Sequence, residues 1–256
     1  MPPPITPFAQ LLRGAGAARF VAKVKTRDDF KHMFSKSQGA PAVLFIGRAN
    51  VGKSSLINKV VNRKALAQSG QRPGLTQELH FFGVGQPTKL FLVDAPGYGK
   101  RGRREWGELV DAYLDMPNNL LRRIFLLLNF EHGLVDTGDP QMLQQLHQRM
   151  QDALGVGLSF QAVFTKAEGL DARPGSPRAR LLQEQIHKLA PTCLPPIFTS
   201  SRMNIGIDDL QQAIGYACGL EENAMYQQLL DDAVEDDAEY YHVKPRAART
   251  RTKPPR

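Results

Sequence analysis

Two cysteines, Cys193 and Cys218, are all that 256 residues carry. They form neither a metal-ligand spacing nor a disulfide framework, which suits a reducing compartment and leaves both as bystander thiols. No apolar stretch approaches the ~20 residues that cross a bilayer. Leu120 to Phe130 comes nearest, but Arg122 and Arg123 interrupt it, so it reads as a core strand. There is no G-x-S-x-G elbow, no CxxC pair and no G-x-G-x-x-G. The six histidines are scattered, with no HxxxH or carboxylate partner pattern, which favours surface or core roles over metal binding. Acids are missing from both ends. Residues 1 to 27 contain Arg13, Arg19, Lys23, Lys25 and Arg27 with no acid before Asp28, and the last fifteen residues carry Lys244, Arg246, Arg249, Arg251, Lys253 and Arg256 with none.

What remains is a globular composition, 42% hydrophobic and 23% charged, long enough for one full core with material left for tails. The net charge of +8 points to a polyanionic partner. That charge is uneven, because Glu221 to Glu239 is strongly acidic between the core and the basic end. Three regions follow: a basic N-terminal arm or transit remnant over 1–40, a catalytic-size domain over 41–220, and an acidic, helix-prone segment with a basic tail over 221–256.

Strand candidates are 42–46, 79–84, 89–94, 123–129, 159–165 and 196–200. Helix candidates are 53–62, 105–115, 139–154, 177–189 and 206–218. Strand-helix alternation predicts an α/β fold with a mostly parallel, six-stranded sheet and helices on both faces. Gly85-Gln86-Pro87-Thr88 is too short for a crossover helix, so 79–84 and 89–94 should form an antiparallel hairpin at one edge.

Gly47-Arg48-Ala49-Asn50-Val51-Gly52-Lys53-Ser54 is a complete G-x-x-x-x-G-K-S phosphate-binding loop between an apolar strand and a helical pattern. Its four fixed positions recur by accident in roughly one chain in a hundred of this length, and the strand-loop-helix context lowers that further. The glycines let backbone N–H groups wrap a phosphate at a helix N-terminus, Lys53 supplies a point charge to the β- and γ-phosphates, and Ser54 offers a hydroxyl to Mg²⁺. Val93-Asp94-Ala95-Pro96-Gly97 follows an apolar strand, so Asp94 can hold a Mg²⁺-bound water and the Gly97 N–H can reach a γ-phosphate. Thr76, in Arg72-Pro73-Gly74-Leu75-Thr76, is placed to serve Mg²⁺ and the γ-phosphate as a switch threonine does; an ordinary turn before a strand would read the same way. Thr165-Lys166-Ala167-Glu168 stands where GTPases carry [N/T]-K-x-D, whose carboxylate accepts from guanine N1 and N2. Thr199-Ser200-Ser201 could present the Ser201 N–H to guanine O6.

These elements in this order resemble the EngB-type (YihA-type) ribosome-biogenesis GTPases of the translation-factor-related P-loop class. The matching stretches are Gly47 to Asn58 with Ser55, Pro73-Gly74-Leu75-Thr76-Gln77 with Phe81-Phe82, and Asp94-Ala95-Pro96-Gly97-Tyr98-Gly99. Trp106, Tyr113-Leu114, His132, Thr165-Lys166-Ala167, Ser200-Ser201 and Gly206-Ile207-Asp208 extend the match over about 40 to 219. The resemblance implies binding of GTP and GDP, Mg²⁺, slow GTP hydrolysis, and a role in assembling the large ribosomal subunit. It also implies that Lys53, Thr76, Gly97 and Asn50 carry the chemistry, with Asn50 matching an asparagine that helps hold K⁺ in related GTPases.

Two departures qualify the resemblance. Asn129-Phe130-Glu131-His132-Gly133 replaces the family's Asp-x-Arg-His-Pro stretch, and Glu168 replaces the guanine-reading Asp. The extra methylene shifts that carboxylate by about one C–C bond, ~1.5 Å. Tyr98 occupies the place where many GTPases put a water-orienting Gln.

The expected partners are a precursor of the large ribosomal subunit, its rRNA, and ribosomal proteins or assembly factors, met by a monomer with no membrane span. The basic ends, and the run Lys100, Arg101, Arg103 and Arg104, are the candidate phosphate contacts. The expected compartment is the mitochondrial matrix, with a plastid or bacterial cytoplasm as the alternative. A catalytically weak or inactive placeholder on pre-ribosomes is the competing reading of the same residues.

Overall fold

The computed structural model describes residues 7–12, 17–37, 39–67, 78–98, 104–116, 120–134, 138–152, 157–173 and 175–220. Among these, seven strands form one sheet: β1 Ala18–Val24, β2 Ala42–Gly47, β3 Leu79–Val84, β4 Leu90–Asp94, β5 Leu121–Asn129, β6 Ser159–Thr165 and β7 Cys193–Phe198. Their order across the sheet is β1-β3-β4-β2-β5-β6-β7. The five strands from β4 to β7 run parallel to their neighbours, and β3 is antiparallel to both β4 and β1.

The helices are α1 Pro7–Leu11, α2 Asp29–Ser37, α3 Lys53–Val60, α4 Arg104–Leu114, α5 Gly138–Asp152, α6 Pro177–Leu189 and α7 Ile207–Ala217. Strand side chains alternate between two faces. Leu44, Ile46, Ile124 and Leu126 join Phe30 of α2, Val110 and Tyr113 of α4, Leu143 of α5 and Leu182 of α6 in one core. Val43, Phe45, Phe125 and Leu127 join Phe8 of α1, Leu56 and Ile57 of α3 and Ile214 of α7 in the other. Burial on both faces is why β2 reads as an unbroken apolar run.

The sheet has one strand more than the six expected, and the hairpin therefore lies one strand in from the edge. The extra strand, β1, comes from the basic N-terminal stretch. Its exposed Arg19 and Lys23 masked an otherwise strand-like Phe20-Val21-Ala22 and a buried Val24. From Ala18 onward, residues assigned to an arm over 1–40 belong to the folded sheet or pack on it: Phe30 and Met33 of α2 are buried in its core. Arg19 donates to Gly85 O and Thr88 Oγ1, tying β1 to the hairpin turn.

Two strand boundaries also moved. β5 begins at Leu121, and Arg123 sits inside it because its guanidinium is satisfied by Ser159 Oγ, Gln161 Oε1 and Ala213 O. β7 occupies 193–198, not 196–200, because prolines that would break a central strand are tolerated at the sheet's edge. The domain is one compact unit to Glu221. The acidic segment and basic tail over 221–256, like residues 1–6 and the run 99–103, lie outside the described residues.

Candidate functional site

The strand order reverses direction around β2, whose neighbours are β4 and β5, and the carboxyl ends of these strands are where such sheets bind ligands. β2 ends in the glycine-rich loop. A Cβ on Gly47 would fall 2.9 Å from both Leu127 O and Val51 Cγ1, so nothing larger fits. Asn50 (φ 64°) and Gly52 (φ 108°) take left-handed backbone, curling the loop into α3. α3 starts at Lys53, so Ser54 and Ser55 lie in its first turn.

Lys53 is buried and donates to Gly47 O at 3.3 Å. Ser54 Oγ donates to Asp94 Oδ2 at 3.3 Å, from the first turn of α3 to the end of β4. The other Asp94 oxygen, Oδ1, is buried without a hydrogen bond. Burial pushes the Asp94 carboxyl up from the usual range, against the pull of Lys53, and burial likewise pushes Lys53 down, against the pull of Asp94. A buried carboxylate oxygen with no donor beside a serine hydroxyl is an oxygen-rich pair suited to a hydrated divalent cation.

Beyond Asp94 the chain folds onto the loop. Ala49 N donates to Tyr98 O at 2.9 Å and Tyr98 N to Gly47 O at 3.2 Å. A Cβ on Gly97 would stand 2.7 Å from Ala49 Cα and 2.8 Å from Ala49 N, so only glycine allows this approach. Tyr98 is turned away from the loop: its hydroxyl donates to Asp139 Oδ1 at 2.9 Å, in the first turn of α5. Asp139 was not among the expected site residues. An acid at a helix start has its own sufficient explanation in the helix dipole, so only its burial gives it away.

The second half of the site is built by β6 and β7. Thr165 is a brace: its buried hydroxyl shares its one proton between Val51 O, at 2.7 Å, and Leu128 O, at 3.1 Å, linking this strand end to the phosphate loop. Lys166 is exposed with left-handed backbone (φ 56°), and Ala167 N donates to Thr199 O. Ser200 is fully buried; its hydroxyl donates to Glu168 Oε1 at 3.1 Å and accepts from Met203 N. Arg202 lies 3.7 Å from Glu168 Oε2. Ser200 thus aims the carboxylate, and Ser201 follows it in the same loop. The drifted 129–133 loop is fixed by Arg178, which donates to Phe130 O and Glu131 O and stacks its guanidinium over the Phe130 ring.

Thr76 and its neighbours from 68 to 77 lie outside the described residues. The ends on either side are tied down. Ala67 exchanges two hydrogen bonds with the buried Asn58 side chain, both 2.7 Å. Glu78 accepts from Lys25 at 2.7 Å and meets His80 at 3.3 Å.

Residues 42–159 match a family model described as "50S ribosome-binding GTPase". The chain is 36% identical over 202 residues to a protein from Rhizobium leguminosarum named "Probable GTP-binding protein EngB", covering 73% of this chain and 88% of that one. It is 37% identical over 197 residues to the protein of the same name from Brucella melitensis, covering 71% and 76%. Among solved structures it is similar to Toc33 from Arabidopsis thaliana in complex with Mg²⁺ and GMPPNP. That TM-score is 0.51 at 16% identity, over 75% of this chain and 90% of that one, which shows the fold. With a glycine-rich loop, an Asp-x-x-Gly turn packed on it and that degree of identity over 88% and 76% of the two relatives, the chain belongs to the EngB family of GTP-binding proteins.

Proposed function

We propose that the protein binds GTP and GDP with Mg²⁺, hydrolyses GTP slowly, and uses the nucleotide to control docking on a precursor of the large ribosomal subunit. The observation that carries the nucleotide reading is the pairing of two carboxylates at one end of the sheet. Asp94, half unpartnered beside Ser54, suits a metal, and Glu168, aimed by Ser200, suits a guanine edge. Ser54 and Asp94, with Thr76 from the neighbouring segment, are the residues that would hold Mg²⁺. When bound there, the metal neutralises charge on the phosphate oxygens. Lys53 and the loop N–H groups bind the phosphates, and Gly97 gives its N–H to the γ-phosphate. Asn50 is placed at the loop's left-handed turn, where a K⁺ ion would complement the phosphates.

The ribosomal role is supported by the family description and by the chain's positive charge. rRNA phosphates, ribosomal proteins or assembly factors are the partners, with the basic tail from Lys244 to Arg256 as a charge-based RNA contact. Among the described residues no helix is long and apolar enough to cross a membrane. The compartment we favour is the mitochondrial matrix. Since β1 starts at Ala18 and Phe8 is buried, deleting the N-terminus would damage the fold. The appropriate test attaches residues 1–40 to a reporter, and a reporter left in the cytosol refutes the assignment.

The deciding experiment measures affinity for GTP, GDP and ATP on the purified chain and on Glu168→Asp, with turnover in K⁺ and Na⁺ buffers. Preference for guanine nucleotides with measurable turnover supports the reading; equal binding of ATP overturns it. One observation favours a second reading, a binding protein without useful hydrolysis. The residue after Gly97 is a tyrosine whose hydroxyl is committed to Asp139, so no side-chain amide is there to orient water. Tight GTP binding without turnover would select that reading.

A further inference from the structure

The first turn of α5 meets both the Asp94–Tyr98 turn and the phosphate loop. Tyr98 is 7% exposed and Asp139 3%, and the bond between them joins residues 41 apart in the chain. From the phosphate loop, Arg48 reaches the same turn: a Cβ on Gly138 would lie 3.7 Å from Arg48 Nη1. We propose that Asp139 is a positioning residue for γ-phosphate recognition, acting through Tyr98 to hold Gly97 in register with the phosphate loop.

The geometry makes Tyr98 the fixed point of the turn. Its N–H and C=O are bonded to Gly47 and Ala49, and its hydroxyl to Asp139, so the residue is held by three bonds on two elements. Ala95 N is bonded to Phe45 O, which fixes the other end of the Ala95-Pro96-Gly97 stretch. Gly97 therefore has little freedom of its own, and the place of its N–H follows from where Tyr98 sits. A phenol donating to a carboxylate is a charge-assisted bond. GDP has no group for Gly97 to meet. Loss of the Tyr98–Asp139 bond must then weaken triphosphate binding and leave diphosphate binding nearly untouched. A residue that merely supported the fold would weaken both.

This inference rests on the guanine-nucleotide reading above, and its test separates the two. Affinities for GDP and for a non-hydrolysable GTP analogue are measured by displacement of a fluorescent nucleotide from the full chain. The variants are Tyr98→Phe, Asp139→Ala and Asp139→Asn. Tyr98→Phe removes only the hydroxyl, and Asp139→Asn keeps an acceptor oxygen. The expected result is a GTP-analogue affinity lowered about tenfold relative to GDP in Tyr98→Phe and Asp139→Ala, the lower end of the worth of one hydrogen bond to a charged group. Asp139→Asn should remain within about twofold of the unmodified chain, and the Tyr98→Phe/Asp139→Ala double variant should be no worse than the weaker single one. Equal loss of both nucleotides, or no loss of either, overturns the positioning role. Failure of the unmodified chain to bind either nucleotide overturns the reading beneath it.

Discussion

Replacing Gly97 with alanine tests the contact on which the site depends. Its φ lies outside the left-handed region, so alanine costs nothing in backbone conformation, and the effect is steric alone. The new methyl would stand 2.7 Å from Ala49 Cα, 2.8 Å from Ala49 N and 3.2 Å from Arg48 C, all backbone atoms that no rotamer change can move. Carbon atoms pack at about 3.5–4.0 Å, so Gly97 and Ala49 must separate by roughly 0.8 Å or more. Overpacking of this kind costs about 1–3 kcal/mol. The separation also stretches the Ala49–Tyr98 and Tyr98–Gly47 bonds, 2.9 and 3.2 Å long, each worth about 1 kcal/mol. Partial loss of both adds about 1 kcal/mol, and a total of about 2–4 kcal/mol lowers the Tm by roughly 4–16 °C for a domain of this size. Differential scanning fluorimetry without nucleotide reads this directly. Gly138→Ala is the control: its methyl meets nothing nearer than Arg48 Nη1 at 3.7 Å and it lies in a helix, so its Tm should be unchanged or slightly higher. A Gly97→Ala protein that melts within about a degree of its parent would refute the claim that the turn is seated on the loop.

Three further outcomes follow from the same coordinates. Thr165→Val removes the buried hydroxyl that serves Val51 O and Leu128 O; it should cost about 1–3 kcal/mol in urea unfolding, and Thr165→Ser should recover much of it. Glu78 is held below the usual carboxylate range, first by the hydrogen bond from Lys25 and also by His80 and Lys23. The folded state therefore gains from its ionised form above the unfolded value near 4.5, and that gain is lost as pH falls through the lower folded value. Thermal melts of Glu78→Gln should show a flatter dependence below pH 4.5 than the parent, and parallel curves would contradict this. Burial pushes the Cys193 and Cys218 thiols up to about 12, so a thiolate-selective reagent at pH 8 should label both only on unfolding; rapid labelling of the native chain would contradict it.

The sequence was most legible where one local rule sufficed. The phosphate loop, its helix and the apolar run of β2 announce themselves because glycine spacing and two-sided burial leave little choice. The hairpin was equally plain from a four-residue gap, and the strand β6 from a largely apolar stretch broken by Gln161. β1 was hidden because an edge strand keeps charged residues on its open side, and in a proline-rich, acid-free N-terminus those charges look like a solvated arm. The start of β5 was placed two residues late for the opposite reason: the pair Arg122-Arg123 signals a boundary until the partners of Arg123 on β6 and α7 are known. Within the site, residue types announced Lys53, Ser54 and Asp94. The roles of Thr165 as a brace, Ser200 as an aiming group and Asp139 as an anchor depend on what lies opposite in space, which spacing along the chain does not encode.

Two knots flank residues 68–77. Upstream, Asn58 clasps the main chain of Ala67 in a pair of 2.7 Å bonds, and downstream Lys25 and His80 grip Glu78 at the mouth of β3. Because Asn58, Lys25 and His80 all lie outside residues 68–77, the anchorage of Ala67 and Glu78 is written into the folded domain itself.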